Sequence, residues 1–180
     1  MQTCVFVLPV VGVMGSGTEP HPKRSSTLGA WLAMQNVHLL TGGGGGFMAA
    51  VCKSFCSVSG RRGLSIGIIP GSPDGRPPAG YPNPWVEIPV YTHLPLSGRN
   101  GADPLSRNHI NVLTAQVIVA LPGSHGTASE VRLAVQYGRP VIAYVDRAED
   151  IPGLSKEVPA TPDFEQVKAF VLAQIEKQRG

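Results

Sequence analysis

The stretch Ala115–Glu130, AQVIVALPGSHGTASE, limits the fold more than any other. Val117 to Leu121 is an apolar run of the length of one buried strand, and Pro122-Gly123 stops it. A loop with two glycines and three small hydroxyl residues follows, and Glu130 to Tyr137 then has the pattern of a helix, stopped by Gly138. A strand, a tight glycine loop and a helix in that order aim backbone N–H groups at the space beyond the strand end. Such a space attracts anions.

The same order recurs along the chain. Val10 to Gly17 is a buried strand ending in Gly15-Ser16-Gly17. A helix follows, with Ser25 or Ser26 as its cap, Leu28, Trp31 and Leu32 as its apolar stripe, and Asn36 as a left-handed stop. His38 to Thr41 is a second strand, followed by five glycines, Gly42 to Gly46. Phe47 to Cys56 is apolar almost all round, as in a helix that is buried or sits in a subunit interface. Leu64 to Ile69 is a third strand, closed by Pro70-Gly71. Ser72 to Trp85 is a long Pro/Gly loop, either a lid or a mobile insertion. Val86 to Tyr91 is a fourth strand, and its Pro89 places it at an edge or near a bulge. Asp103-Pro104 opens a helix that carries Arg107 and Asn108 and runs to about Leu113. Pro140 to Val145 is the sixth strand, and Thr161-Pro162 starts a last helix with Phe164, Val167, Val171 and Ile175 on one face. Strands alternating with helices predict an α/β, Rossmann-like three-layer fold with a mostly parallel central sheet, in a single domain over 1–180.

Composition narrows the function. A chain of 180 residues can bury a real core, and its net charge of +3 is too weak to argue for nucleic acid but compatible with an anionic small ligand. Three cysteines, an odd number, give no disulfide framework and point to a reducing, cytoplasmic compartment. No stretch is long enough to span a membrane. The apolar run Val5 to Val13 has no basic residue before it and reads as the first strand rather than a signal peptide. The five histidines show no metal-ligand spacing, so no metal-binding set of side chains is expected.

In a parallel sheet the turns Gly15–Gly17, Gly42–Gly46 and Gly123–Gly126 all lie at the carboxyl edge, where ligands bind. Three such turns on one edge predict an anion or phosphate site. The first loop lacks the G-x-G-x-x-G spacing, and no acidic residue ends the second strand, which disfavours NAD; no P-loop occurs. Ser16, Ser124 and Thr127 offer hydroxyls, and His125 can change charge near neutral pH. Glu130 has two readings: a ligand contact, or the far end of a capping box that starts at Thr127. Arg107 can pair with a phosphate or be a solvated helix arginine. Cys52 and Cys56, one helical turn apart, suit core packing, and Arg61-Arg62 suits a solvated loop end.

Leu121-Pro-Gly-Ser-His-Gly-Thr-Ala-Ser-Glu130 resembles the P-G-G-x-G-T-x-x-E motif of the Lonely Guy (LOG) and lysine decarboxylase-like Rossmann superfamily. Thr41 to Met48 is similar to the second glycine motif of that superfamily. Ser106-Arg107-Asn108, the opening Val-Gly-Val-Met-Gly-Ser-Gly and the compact size resemble its molybdenum cofactor carrier proteins. The resemblance implies a homo-oligomer, dimer or tetramer, that binds molybdenum cofactor (molybdopterin) without turnover, protects it and hands it to a client molybdoenzyme such as nitrate reductase. Neither nucleic acid nor membrane is an expected partner. The implied contacts are Gly15, Ser16, Gly17, Gly42, Gly43, Gly44, Gly45, Arg107, Asn108, Gly123, Ser124, His125, Gly126, Thr127 and Glu130. The alternative is a LOG-type nucleoside 5′-monophosphate phosphoribohydrolase with Arg107 and Glu130 as its catalytic pair. A third reading is a nucleotide-sensing or structural module. Two departures, Ser124 at the second motif glycine and Asn108 after the arginine where lysine is usual, favour binding over catalysis.

Overall fold

The computed structural model describes residues 7–72 and 74–177. Its strands are β1 (Val10–Met14), β2 (His38–Thr41), β3 (Ser65–Ile69), β4 (Ile88–Tyr91), β5 (Val117–Ala120), β6 (Val141–Tyr144) and β7 (Ala160–Thr161). Its helices are α1 (Pro22–Ala33), α2 (Gly46–Cys56), α3 (Asn108–Thr114), α4 (His125–Gln136) and α5 (Phe164–Lys177). The seven strands form one sheet in the order β4-β3-β2-β1-β5-β6-β7, and every pairing is parallel. The fold is therefore the expected α/β arrangement. Val5 and Phe6, the start of the run read as the first strand, lie outside the described residues, as does Cys4.

Alternation along each strand sends side chains to opposite faces, and each face has its own core. Val11, Val13, Leu39, Val117 and Val119 meet Leu28 and Leu32 of α1, Phe47 and Phe55 of α2, and Val167, Val171 and Ile175 of α5. Met14, Leu40, Ile68, Ile118 and Ala120 meet Val112 of α3 and Val131 and Ala134 of α4. The apolar helix α2 is accounted for within this chain: Phe47, Val51, Cys52 and Phe55 are fully buried, packed with α1. Pro89 sits on an edge strand, as its missing N–H requires. Among the described residues no helix is long and apolar enough to cross a membrane.

Several boundaries differ from the sequence reading. Helix α1 starts at Pro22 rather than at Ser25 or Ser26, because proline suits the first helical position; Ser25 Oγ instead donates back to the His21 carbonyl at 3.1 Å. Asn36 is left-handed, as expected (φ 53°). The Asp103-Pro104 pair does not open α3. Asp103 Oδ1 closes a local turn onto the N–H of Leu105 at 2.8 Å, and the helix waits until Asn108, whose N–H bonds Ser106 Oγ at 3.2 Å. Helix α5 begins at Phe164, with Asp163 Oδ1 accepting from the N–H of Glu165 at 2.9 Å. The two-residue β7 between Pro159 and Pro162 is too short to show a period. Arg61 is not a free loop end: it pairs with Glu87 at 2.7 Å.

Two glycines hold the glycine loops and helices close. Gly46 is left-handed (φ 55°), and a Cβ there would lie 2.5 Å from Gly17 C and Thr18 N, so the loops after β1 and β2 touch backbone to backbone. Gly29 lets α1 and α2 approach, since a Cβ there would lie 2.6 Å from the Val51 carbonyl oxygen. Gly29→Val should therefore cost about 1–3 kcal/mol by overpacking, read as a lower denaturant midpoint with unchanged slope. An unchanged midpoint would show that the two helices do not depend on this contact.

Candidate functional site

Strand order reverses between β1 and β5: β2, β3 and β4 extend one way from β1, and β5 to β7 the other. The carboxyl ends of the adjacent strands β2, β1 and β5 carry the three glycine loops, so all three meet at the switch point of the sheet. A cleft of about 170 Å³ opens there. Gly15, Gly17, Arg107, Asn108, Ser124, Gly126, Thr127 and Glu130 line it, together with Met48, Tyr81, Ser97 and Gly98.

Arg107 is 5% exposed and is not a solvated helix arginine. Its Nη1 donates to the carbonyls of Gly42 at 2.8 Å and Ile68 at 2.6 Å, tying the ends of β2 and β3 together. The guanidinium lies 5.7 Å from the centre of the Tyr81 ring. Its Nε is buried without a protein partner, and so is Nδ2 of the neighbouring Asn108. Two buried, unpaired donors on adjacent lining residues would be costly unless something else accepts from them.

The capping-box reading of Glu130 does not hold. Helix α4 begins at His125, with Ser124 as its N-cap, so Thr127 is already the third helical residue and Glu130 lies too deep to reach back. Glu130 is 8% exposed and Oε1 accepts from Asn111 Nδ2 at 2.8 Å. Burial pushes its carboxyl above the ordinary carboxylate range, while the charge of Arg107 and the Asn111 N–H pull the other way. Ser124 adopts φ −99°, which any residue accepts, so a serine at the second motif glycine strains nothing, and its hydroxyl makes no cap bond.

The remaining expected residues take other positions. Gly42 to Gly45 stay outside the lining. Gly42 packs on the Arg107 guanidinium, Gly43 N–H donates to Thr41 Oγ1 at 3.1 Å, and a Cβ on Gly44 would lie 2.7 Å from Tyr81. These glycines shape the site from behind rather than facing it. Gly123 is pressed against Thr127, and Ser16 Oγ accepts from the N–H groups of Thr18 and Glu19. His125 is exposed and faces a neighbouring groove.

The Ser72–Trp85 loop is a wall at its second half. Buried Asn83 donates its backbone N–H to Gly43 O at 2.8 Å and its Nδ2 to Gly44 O at 2.9 Å, which holds Tyr81 at the cleft. Tyr81, Met48, Ser97, Gly98 and Asn111 were not foreseen from sequence. Only Asn111 had a usable signal: it lies three residues from Asn108 on the same short helix. Cys52 packs in the core, and burial pushes the Cys56 thiol up to about 11. Among the described residues no group of three His, Cys, Asp or Glu side chains is placed to hold a metal ion.

The sequence model of the SLOG cluster4 family matches residues 8–173. The chain belongs to the SLOG cluster4 family. Among solved structures, it is similar to the molybdenum cofactor binding protein of the phototrophic bacterium Rippkaea orientalis, at 28% identity over 92% of this chain and 99% of that one, with a TM-score of 0.69. The Moco carrier protein of Chlamydomonas reinhardtii is equally similar, at 28% identity over 95% and 99% of the two chains and a TM-score of 0.69. DNA processing protein A of Helicobacter pylori, 18% identical over 92% and 80% with a TM-score of 0.66, shares the fold alone. No curated protein sequence matches the chain.

Glu130 gives this SLOG site a pH signature. The folded chain holds the Glu130 proton more firmly than the unfolded chain, so the stability this carboxyl contributes is complete at low pH and is lost as pH rises above about 4. Glu130→Gln removes that loss. Its stability relative to the wild type should increase between about pH 4 and pH 7, read from denaturant midpoints. A difference that does not change with pH would contradict the buried, proton-holding carboxyl.

Proposed function

We propose that this protein binds molybdenum cofactor as cargo at the switch-point cleft, protects it and delivers it without breaking a bond. The observation that carries this reading is a cleft that brings Arg107 and Asn108, each with a side-chain donor left without a protein partner, to the start of α4. The N–H groups of the first turn of α4 have no carbonyl four residues before them in the helix and carry the positive end of its dipole. Together these donors suit a terminal phosphate or an oxo group of the cofactor. The names of the similar proteins from Rippkaea and Chlamydomonas support the same cargo. A client molybdoenzyme, a cytoplasmic setting and a homo-oligomer complete the proposal.

The second reading, a LOG-type hydrolase of nucleoside 5′-monophosphates, draws on the proximity of Glu130 to the charge of Arg107. Under it, Glu130 would stabilise an oxocarbenium-like sugar or activate water. Burial disfavours the ionised carboxyl that both roles need, which supports the carrier reading.

Anaerobic incubation with molybdenum cofactor, followed by gel filtration, tests the proposal. Pterin fluorescence and molybdenum should co-elute with the protein in a constant ratio, and Asn108→Ala should lower the retained amount severalfold. Neither signal in the protein peak, or release of free base from nucleoside monophosphates that is lost in Glu130→Gln, would overturn it.

A further inference from the structure

A second, larger groove flanks the cleft. It has a volume of about 600 Å³ and lies between the outer face of α4 and the segment Ile151–Ser155. Its apolar side is formed by Val131, Val135, Ile151 and Leu154. Its charged lining residues are Arg99 and Arg132, joined by His125, and no acidic side chain lines it. Ligand pockets for molecules of cofactor size run from about 300 to 1,000 Å³, so the switch-point cleft of about 170 Å³ is too small to take such a ligand whole, whereas the groove is large enough for a ring system.

The two hollows adjoin. Gly98 lines the cleft while Arg99, the next residue, lines the groove; Gly126 lines the cleft while His125, the residue before it, lines the groove. The partition is Gly98 against Gly126, where even an added Cβ on Gly126 would lie 3.8 Å from Gly98 Cα. Ser129 Oγ fixes that turn by donating to Gly98 O at 3.1 Å. A ridge of two glycines has no side chain to block a ligand that crosses it, and the first turn of α4 runs along it.

We infer that the α4 groove is the subsite for the planar heterocycle of an elongated anionic ligand whose compact anionic end occupies the switch-point cleft. This rests on the cargo reading above and extends it: the ring lies on the apolar side made by Val135 and Leu154, and Arg132 and Arg99 face its polar edge. The ligand crosses the Gly98–Gly126 ridge over the free N–H groups of α4.

Anaerobic equilibrium dialysis against molybdopterin, and separately against inorganic molybdate as a probe of the cleft alone, tests the inference. Arg132→Glu reverses the groove charge, and Val135→Trp fills the groove without changing charge; both positions are exposed on α4. Each variant should weaken molybdopterin binding by about tenfold or more while molybdate binding stays at the wild-type level. Wild-type affinity for molybdopterin in both variants overturns the subsite and leaves the cargo reading standing, and so does a change of oligomeric state without a change of affinity. A parallel loss of molybdate binding assigns these residues to the cleft and overturns a separate subsite. A wild-type protein that binds no molybdopterin overturns the cargo reading and this inference together.

Discussion

The site depends on one guanidinium. Arg107 Nη1 satisfies the carbonyls of Gly42 and Ile68 and so fixes the second glycine loop against the end of β3. That loop in turn receives Asn83, which brings Tyr81 to the cleft and over the same guanidinium. A buried arginine is stable only where its donors find acceptors, and two backbone carbonyls supply them without a second charge. Its Nε stays buried without a protein partner, on a residue that lines the cleft. One side chain thus joins the sheet, the wall and the cleft.

The same economy explains the glycines. Gly42 to Gly46 lie outside the cleft lining, at a place where an arginine, a tyrosine and another loop approach the backbone closely. The loop after β5 presents the start of α4 instead, with Ser124 and Gly126 at the cleft and His125 turned to the groove beside it. Glu130, one of two lining residues of α4 beyond its first two positions, is kept buried by Asn111 on α3 and shielded by the charge of Arg107. Cleft lining and helix start are therefore one structure, an arrangement suited to anions at a switch point.

The strand–loop–helix alternation was legible because buried strands of Val and Ile between glycine turns leave few other folds available. The placement of the three loops on one edge followed from parallel topology, and eight of the expected contacts do line the cleft: Gly15, Gly17, Arg107, Asn108, Ser124, Gly126, Thr127 and Glu130. Helix starts were less legible. Thr127 and Glu130 have capping-box spacing, and Asp103-Pro104 has the look of a helix opening, but each signal lost to a neighbour: Ser124 is already the N-cap of α4, and Asp103 closes a turn. Tyr81 and Ser97 were hidden because loops without a period give no hint of which side chain faces inward. The partners of Arg107 were hidden for a different reason: they are backbone carbonyls 65 and 39 residues away, which no side-chain pattern encodes.

The central claim, that the cleft and the first turn of α4 hold the anionic part of a molybdenum-bearing ligand, is tested most directly by anomalous scattering. Crystals grown anaerobically with molybdenum cofactor would be measured on both sides of the molybdenum absorption edge. One peak per chain is expected over the first turn of α4, beside Ser124, Gly126 and the Arg107–Asn108 pair. A peak elsewhere on the chain, with this surface left free, would contradict it.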